Sequence, residues 1–253
     1  MGVTMASISL EAISVAFPVF STNARSLKNG VLGMATGGRI GIDGAHTIQV
    51  QALDNVSLVF EHGDRIGLVG HNGAGKSTLL QVLAGIYEPV SGRVYCEGRI
   101  VSMFNPMLGM DVDSTGYENI LQRGLFLGLK PAEIEARIDE IARFTELGNY
   151  LAMPMRTYSS GMAMRLAFAV STCIDSDILL MDEWLTVGDA SFIGKAEKRL
   201  AQLVDSASIM VLASHTADLI SRTCNKAVLL EHGKVVSFGQ VEEVLAVYRG
   251  RAN

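Results

Sequence analysis

Apolar and polar positions alternate over residues 6–20 and the alternation breaks at Pro18, which predicts a strand with an aromatic end. Two further strands are predicted at Thr47–Leu53 and Val56–Phe60. Arg65–Val69 reads as a short apolar strand running into a Gly-rich turn, and Ser77–Ala84 as a buried helix. Residues 93–104 suggest two more short strands. From about residue 115 to 172 the pattern turns helical. Pro131 suits a first helical position, with Glu133 and Glu135 in the first turn. Ile134, Ile138, Ile141 and Phe144 then keep the 3.6-residue period, and Gly148 is the expected stop. Residues 178–181 and 209–213 are unbroken apolar runs, as in strands buried on both faces. From Ala227 the chain reads strand, turn at Gly233, strand, and a short helix over 241–249. Strands alternating with helices around a helical insert predict an α/β sheet core with an α-helical lobe.

Composition narrows the classes. The 253 residues are 49% hydrophobic and 19% charged, with a net charge of -5. A disordered chain and a general nucleic-acid binder are both excluded. The mean hydropathy of +0.30 raises the question of a membrane span. The longest apolar runs, Leu166–Val170, Ile209–Ala213 and Val244–Tyr248, fall far short of the roughly 20 residues a spanning helix needs. The apolar excess is expected in a core, against a protein partner, or both. The N-terminus has no basic flank and carries Glu11, unlike a secretory signal, and Ala6 stands where myristoylation wants Ser or Thr. Cys96, Cys173 and Cys224 are odd in number, widely spaced and without a CxxC pair, so buried free thiols are expected. Six glycines within residues 28–46 mark a loop or a hairpin with tight turns.

Three motifs carry chemistry. Gly70-His71-Asn72-Gly73-Ala74-Gly75-Lys76-Ser77 matches G-x-x-x-x-G-K-S/T and lies between a predicted strand and a predicted helix. Glycines there let backbone N–H groups converge on an anion, and the helix N-terminus adds its dipole. Lys76 is expected to reach the β- and γ-phosphates of a nucleotide, and the Ser77 hydroxyl to hold Mg²⁺. Ile178–Met181 ends in Asp182 and Glu183 at the carboxyl end of a strand, where α/β ligands bind. Asp182 would orient Mg²⁺, and Glu183 would polarise an attacking water as general base. Taken alone, that string also suits a strand ending in a solvated acidic turn. Thr157-Tyr158-Ser159-Ser160-Gly161-Met162 opens a helical run, which is either a second anion-binding helix start or a plain Ser N-cap.

In this order, the motifs resemble an ABC-transporter ATPase over about residues 7–249. The resemblance implies a P-loop NTPase of the ABC-ATPase fold as one domain, 1–253. About 1–64 would form an antiparallel β-subdomain with the Gly-rich insertion 28–46. Residues 65–104 and 173–253 would form a RecA-like mixed sheet core, and about 105–172 an α-helical subdomain. Tyr158–Met162 would be the signature, normally LSGGQ, with Ser159, Ser160 and Gly161 facing the ATP of a second copy. It differs at Ser160 and Met162, changes that leave backbone N–H donors in place. Thr78 joins the nucleotide-binding loop, Asp189 becomes the D-loop residue, and His215 the switch histidine that assists Glu183 and Lys76 in catalysis. Asn105 stands where the family has its Q-loop glutamine and Mg²⁺ contact, although a turn Asn before Pro106 is an equal reading. The aromatic that stacks on adenine would be Phe17 or Phe20.

The resemblance narrows to the ATP-binding subunits of polysaccharide exporters. Thr115–Ile120, Glu146–Tyr150 with Met153-Pro154, Arg165–Val170, Asp182–Ala190 and Arg25–Lys28 carry it. It implies ATP and Mg²⁺, an ATP-sandwich homodimer, and a pair of integral-membrane permease subunits that handle a lipid-linked polysaccharide, O-antigen foremost. Capsule, teichoic acid, lipid or drug export are the alternatives. The implied place is the cytoplasmic face of the inner membrane, peripheral through the permease, with no nucleic-acid partner. Only 20 residues follow Gly233, leaving no room for the C-terminal carbohydrate-binding domain of many O-antigen members, so polymer recognition is expected elsewhere.

Overall fold

In the first strand, the buried positions run Ile8, Leu10 and then Ile13, Val15, a slip of one residue in the two-residue period. The computed structural model, which describes residues 6–18, 40–42, 48–104, 106–183 and 190–251, places a bulge at the slip. Ala12 has φ 50 and its N–H donates to Ser57 Oγ at 2.9 Å. The chain divides into two units, 1–98 with 180–183 and 208–253, and 99–179 with 184–207.

The first unit holds an antiparallel sheet in the order β2 (Ile40–Ile42), β3 (Ile48–Phe60), β1 (Ser7–Pro18) and β5 (Ser91–Glu97). The two strands predicted over 47–60 are one. Asp54-Asn55 looks like a turn in sequence, but Asn55 makes a single left-handed excursion, φ 53, and its N–H is caught by Ser14 Oγ at 3.0 Å. Asn tolerates that conformation, so the ladder continues past it. The same unit holds strands in the order β10 (Lys234–Gln240), β9 (Lys226–Glu231), β4 (Arg65–Val69), β8 (Ile209–Ala213) and β7 (Ile178–Asp182), the last contributing Leu180–Asp182. β4 runs parallel to β8 and β9. Ile209–Ala213 are all fully buried, as the unbroken apolar run requires. Helix α1 (Lys76–Leu83) follows β4.

The second unit contains β6 (Ile100–Ser102) and helices α2 (Gly116–Phe126), α3 (Pro131–Glu135), α4 (Ile138–Thr145), α5 (Ser160–Thr172) and α6 (Ala190–Ser206). A capping box opens α2. Thr115 Oγ1 accepts from the Glu118 N–H, and Glu118 accepts from the Thr115 N–H at 2.7 Å. Buried Asn119 ties down the preceding loop, donating to the carbonyls of Asp111, Ser114 and Thr115 and accepting from the Asp111 N–H. The single helix expected after Pro131 is broken at Ala136–Arg137. There the Arg137 N–H takes the carbonyl three residues back, and its guanidinium reaches Cys173 O. The stop is Glu146, φ 57, rather than Gly148, which opens a 3₁₀ turn. Helix α6 and helix α7 (Ala217–Thr223, in the first unit) are additions to the elements read from sequence, and the helix expected over 241–249 is α8 (Val241–Arg251). Cys173 and Cys224 are buried and free, with burial pushing both thiols up to about 11, whereas Cys96 is only half-buried.

Candidate functional site

Leaving β4, the chain makes a glycine-rich turn into α1. Gly70 has φ 147, and a Cβ there would stand 2.2 Å from the Leu230 carbonyl oxygen. Gly75, at φ 113, is the N-cap of α1 and offers no side-chain acceptor, a helix start whose first-turn N–H groups are suited to receive an anion. Lys76 is 6% exposed, and its ammonium donates to the carbonyls of Gly70 at 2.7 Å and His71 at 3.2 Å. Burial pulls its pKa down, and the charges of Asp182 and Glu183 push it back up.

The carboxylates sit at the end of β7. Ser77 Oγ donates to Asp182 Oδ2 at 2.7 Å, joining the start of α1 to that strand end. Glu183 adopts φ 66, with its N–H on the Ala213 carbonyl at 2.8 Å. This conformation turns it toward the loop after β8. Its Oε1 accepts from the His215 N–H and its Oε2 from Ser214 Oγ, each at 3.0 Å. The His215 Nε2 lies 3.9 Å from Glu183 Oε1. A carboxylate held at both oxygens by the chain beside an imidazole is a fixed proton acceptor.

A cleft of ≈ 390 Å³ opens over this machinery, within the usual size of ligand sites. Phe17, Val50 and Ala52 line one part, and Asn72–Thr78, Asp182 and His215 the rest. The Phe17 ring makes an edge contact with Tyr87, centroids 5.0 Å apart. His71 does not line the cleft; its ring lies 4.9 Å from that of His232. Gly70 and Glu183 are also not among the lining residues, the first being a carbonyl partner of Lys76 and the second a hydrogen-bond partner of the His215 N–H.

In the second unit, Ser159 is the N-cap of α5, its Oγ accepting from the Met162 N–H at 3.2 Å and keeping its own proton to donate. The Tyr158 hydroxyl donates to the Tyr150 carbonyl at 2.7 Å. Ser159 and Gly161 line a cavity of ≈ 370 Å³ together with Glu146, Leu147, Tyr150, Met162 and Arg165. A Cβ on Gly161 would meet nothing closer than Ser159 Oγ at 3.9 Å. Ser160 is exposed at the same helix start. Asn105, Asp189 and Phe20 lie outside the described residues. Sequence reasoning missed Ser214 and Tyr87. The first stood beside His215 in the string Ala213-Ser-His, but nothing local marks Tyr87.

A family model described as ABC transporter matches residues 53–186. The O-antigen export system ATP-binding protein RfbE of Yersinia enterocolitica is 45% identical over 231 residues, covering 91% of this chain and 97% of that protein. RfbB of Myxococcus xanthus, another O-antigen export system ATP-binding protein, is 43% identical over 79% of this chain and 46% of its own length. The teichoic acids export ATP-binding protein TagH of Lactococcus lactis subsp. lactis is 37% identical over 78% and 42%. The chain thus spans nearly all of RfbE and less than half of the other two. Among solved structures, the dimeric post-hydrolysis ATP-binding cassette MJ0796, bound to ADP and Pi, superposes with a TM-score of 0.65 at 18% identity, covering 92% of this chain and 98% of that one. An ATP binding subunit of an ABC transporter gives 0.66 at 20%, covering 95% and 92%. These two likenesses carry the fold.

Proposed function

The chain belongs to the ABC transporter family as an ABC-type ATPase, and on that premise we propose that it powers export of a lipid-linked, O-antigen-type polysaccharide through a separate permease. The observation that carries the substrate class is the 45% identity to RfbE across 97% of that protein. Teichoic acid is the second reading, favoured by the 37% identity to TagH, which spans less than half of that protein.

The residues divide the work as follows. The Gly73–Gly75 backbone and the bare N-terminus of α1 receive phosphate oxygens, and Lys76 gives its ammonium to the β- and γ-phosphates. The ring of Phe17 offers a face to adenine. Ser77 and Asp182, already 2.7 Å apart across one hydrogen bond, are a fitting pair of oxygens for Mg²⁺. Among the described residues no cluster of three His, Cys, Asp or Glu side chains could hold a metal alone, so phosphate and water oxygens would complete its shell. When bound, Mg²⁺ neutralises charge on the phosphates. Glu183, steadied by Ser214 and the His215 backbone, takes the proton of the attacking water, and the His215 imidazole faces the terminal phosphate.

Two copies close on ATP, each nucleotide held by the phosphate loop of one and by Ser159–Gly161 of the other, with Asp189 at the same junction and Asn105 as the amide toward Mg²⁺. Among the described residues no helix is long and apolar enough to cross a membrane. The chain docks at the cytoplasmic face of the inner membrane through its permease pair, by residues 103–116 and the adjoining face of α2. Exposed Leu108, Val112, Tyr117, Leu121 and Leu125 support that docking face, the last three recurring at every fourth residue of α2. Deleting the gene and staining surface polysaccharide tests the reading. Loss of surface glycan with lipid-linked polymer accumulating in the cytoplasm is expected; unchanged surface glycan removes the substrate class.

A further inference from the structure

Arg123 is a buried cation with no anion beside it. It lies in α2, is 1% exposed, and is the largest fully buried side chain among the described residues. Its Nε and Nη2 donate to Ser171 Oγ at 3.1 and 2.7 Å, and its Nη1 donates to the Leu108 carbonyl. Ser171 in turn donates to the Ala167 carbonyl at 2.7 Å. No carboxylate pairs with Arg123 among the described residues, and burial pushes its pKa down to about 10. A charge held only by neutral partners is expensive to bury. Packing therefore gives no reason for an arginine here.

Geometry gives one. The guanidinium is a rigid planar fork, and here its two sides grip two different elements. One side holds the loop 106–112 at Leu108; the other holds the last turn of α5 at Ser171. Helix α5 has 13 residues and begins at the Ser159–Gly161 end. At 1.5 Å per residue it is a rod of about 20 Å, held at one end by Arg123 and carrying the signature at the other. All of these groups belong to the second unit.

We propose that Arg123 is a positioning residue that makes the permease-facing loop 106–112 and the signature helix move as one piece. This rests on the reading above, in which that loop meets the permease and Ser159–Gly161 closes on the partner copy's nucleotide. Arg123 touches neither nucleotide nor polymer; it sets where the signature stands when the permease moves the loop. Without it the loop and α5 shift independently, and ATP turnover loses its link to export.

The test uses a strain lacking the gene, complemented with wild type, Arg123→Met, Arg123→Lys or Glu183→Gln, with surface polysaccharide as readout. The purified variants are assayed for thermal midpoint and for ATP turnover without permease. Arg123→Met should keep its midpoint, because removing a buried charge offsets the hydrogen bonds it loses and Ser171 retains the Ala167 carbonyl. Its basal turnover should match wild type while surface polysaccharide falls about tenfold, within the range by which coupling residues act. Arg123→Lys keeps the charge but not the fork, and should lose export to a similar degree. Wild-type export by either variant overturns the proposal, as does a fall in midpoint and basal turnover that tracks the export loss, since that marks a packing residue. Normal export by Glu183→Gln overturns the transport reading itself, and the proposal with it.

Discussion

Replacing Glu183 with Gln lowers ATP turnover by about 10²–10⁴-fold while ATP stays bound, the loss expected when one general base is removed. The substitution is nearly isosteric, and the site tolerates it. The side-chain oxygen of Gln can still accept from the His215 N–H. The Ser214 hydroxyl, which now donates to Glu183 Oε2, can rotate to accept from the new NH₂ group. The thermal midpoint should therefore not move, and the lost rate reports chemistry rather than folding. Phosphate release measured beside nucleotide binding separates the two. A Gln variant that hydrolyses at the wild-type rate removes Glu183 as the base and leaves the acidic turn as structure only.

Lys76→Ala has the second large effect, and it falls on binding as well as rate. In the structure its ammonium is buried against the carbonyls of Gly70 and His71, so it already stands inside the loop that would wrap the phosphates. Removing a preorganised donor of this kind costs roughly 10²–10³ in rate. The binding loss has its own signature. A ligand at 100 times its Kd stabilises the folded protein by about 2.7 kcal/mol, so ATP should raise the wild-type midpoint clearly and the Ala variant's hardly at all. Lys76→Arg should not restore either property, because the slot holds a compact ammonium and not a planar fork. An Ala variant with undiminished ATP protection would mean that the phosphates are held elsewhere.

The candidate site was legible where the proposed chemistry would impose spacing on the chain. A loop that cradles phosphate must place Gly70, Gly73, Gly75 and Lys76 within one turn, and carboxylates at the mouth of a parallel sheet must follow an apolar run. The supports of those groups come from remote positions and leave no local mark. Ser214 reaches Glu183 across 31 residues of sequence, and Tyr87 meets Phe17 across a separation of 70. The same physics explains the errors of fold. Asp54-Asn55 carries turn chemistry, yet a single left-handed residue with its N–H caught by Ser14 is a bulge and not a break. Helix α6 carries a readable stripe in Phe192, Ala196, Leu200 and Leu203, all buried. Arg123 reads in sequence as one more charge on a helix surface, and only the fold shows it fully buried.

ATP-driven closure of two copies is the centre of the account, and Glu183→Gln gives the material to measure it. Mixed with ATP, that variant should sediment as a dimer, and adding Gly161→Asp should leave ATP bound to a monomer. The Gly161 position has open space for a side chain, so the second substitution perturbs the contact and not the fold. A Glu183→Gln protein that binds ATP and stays monomeric, or that dimerises equally well with Asp at position 161, would contradict the account.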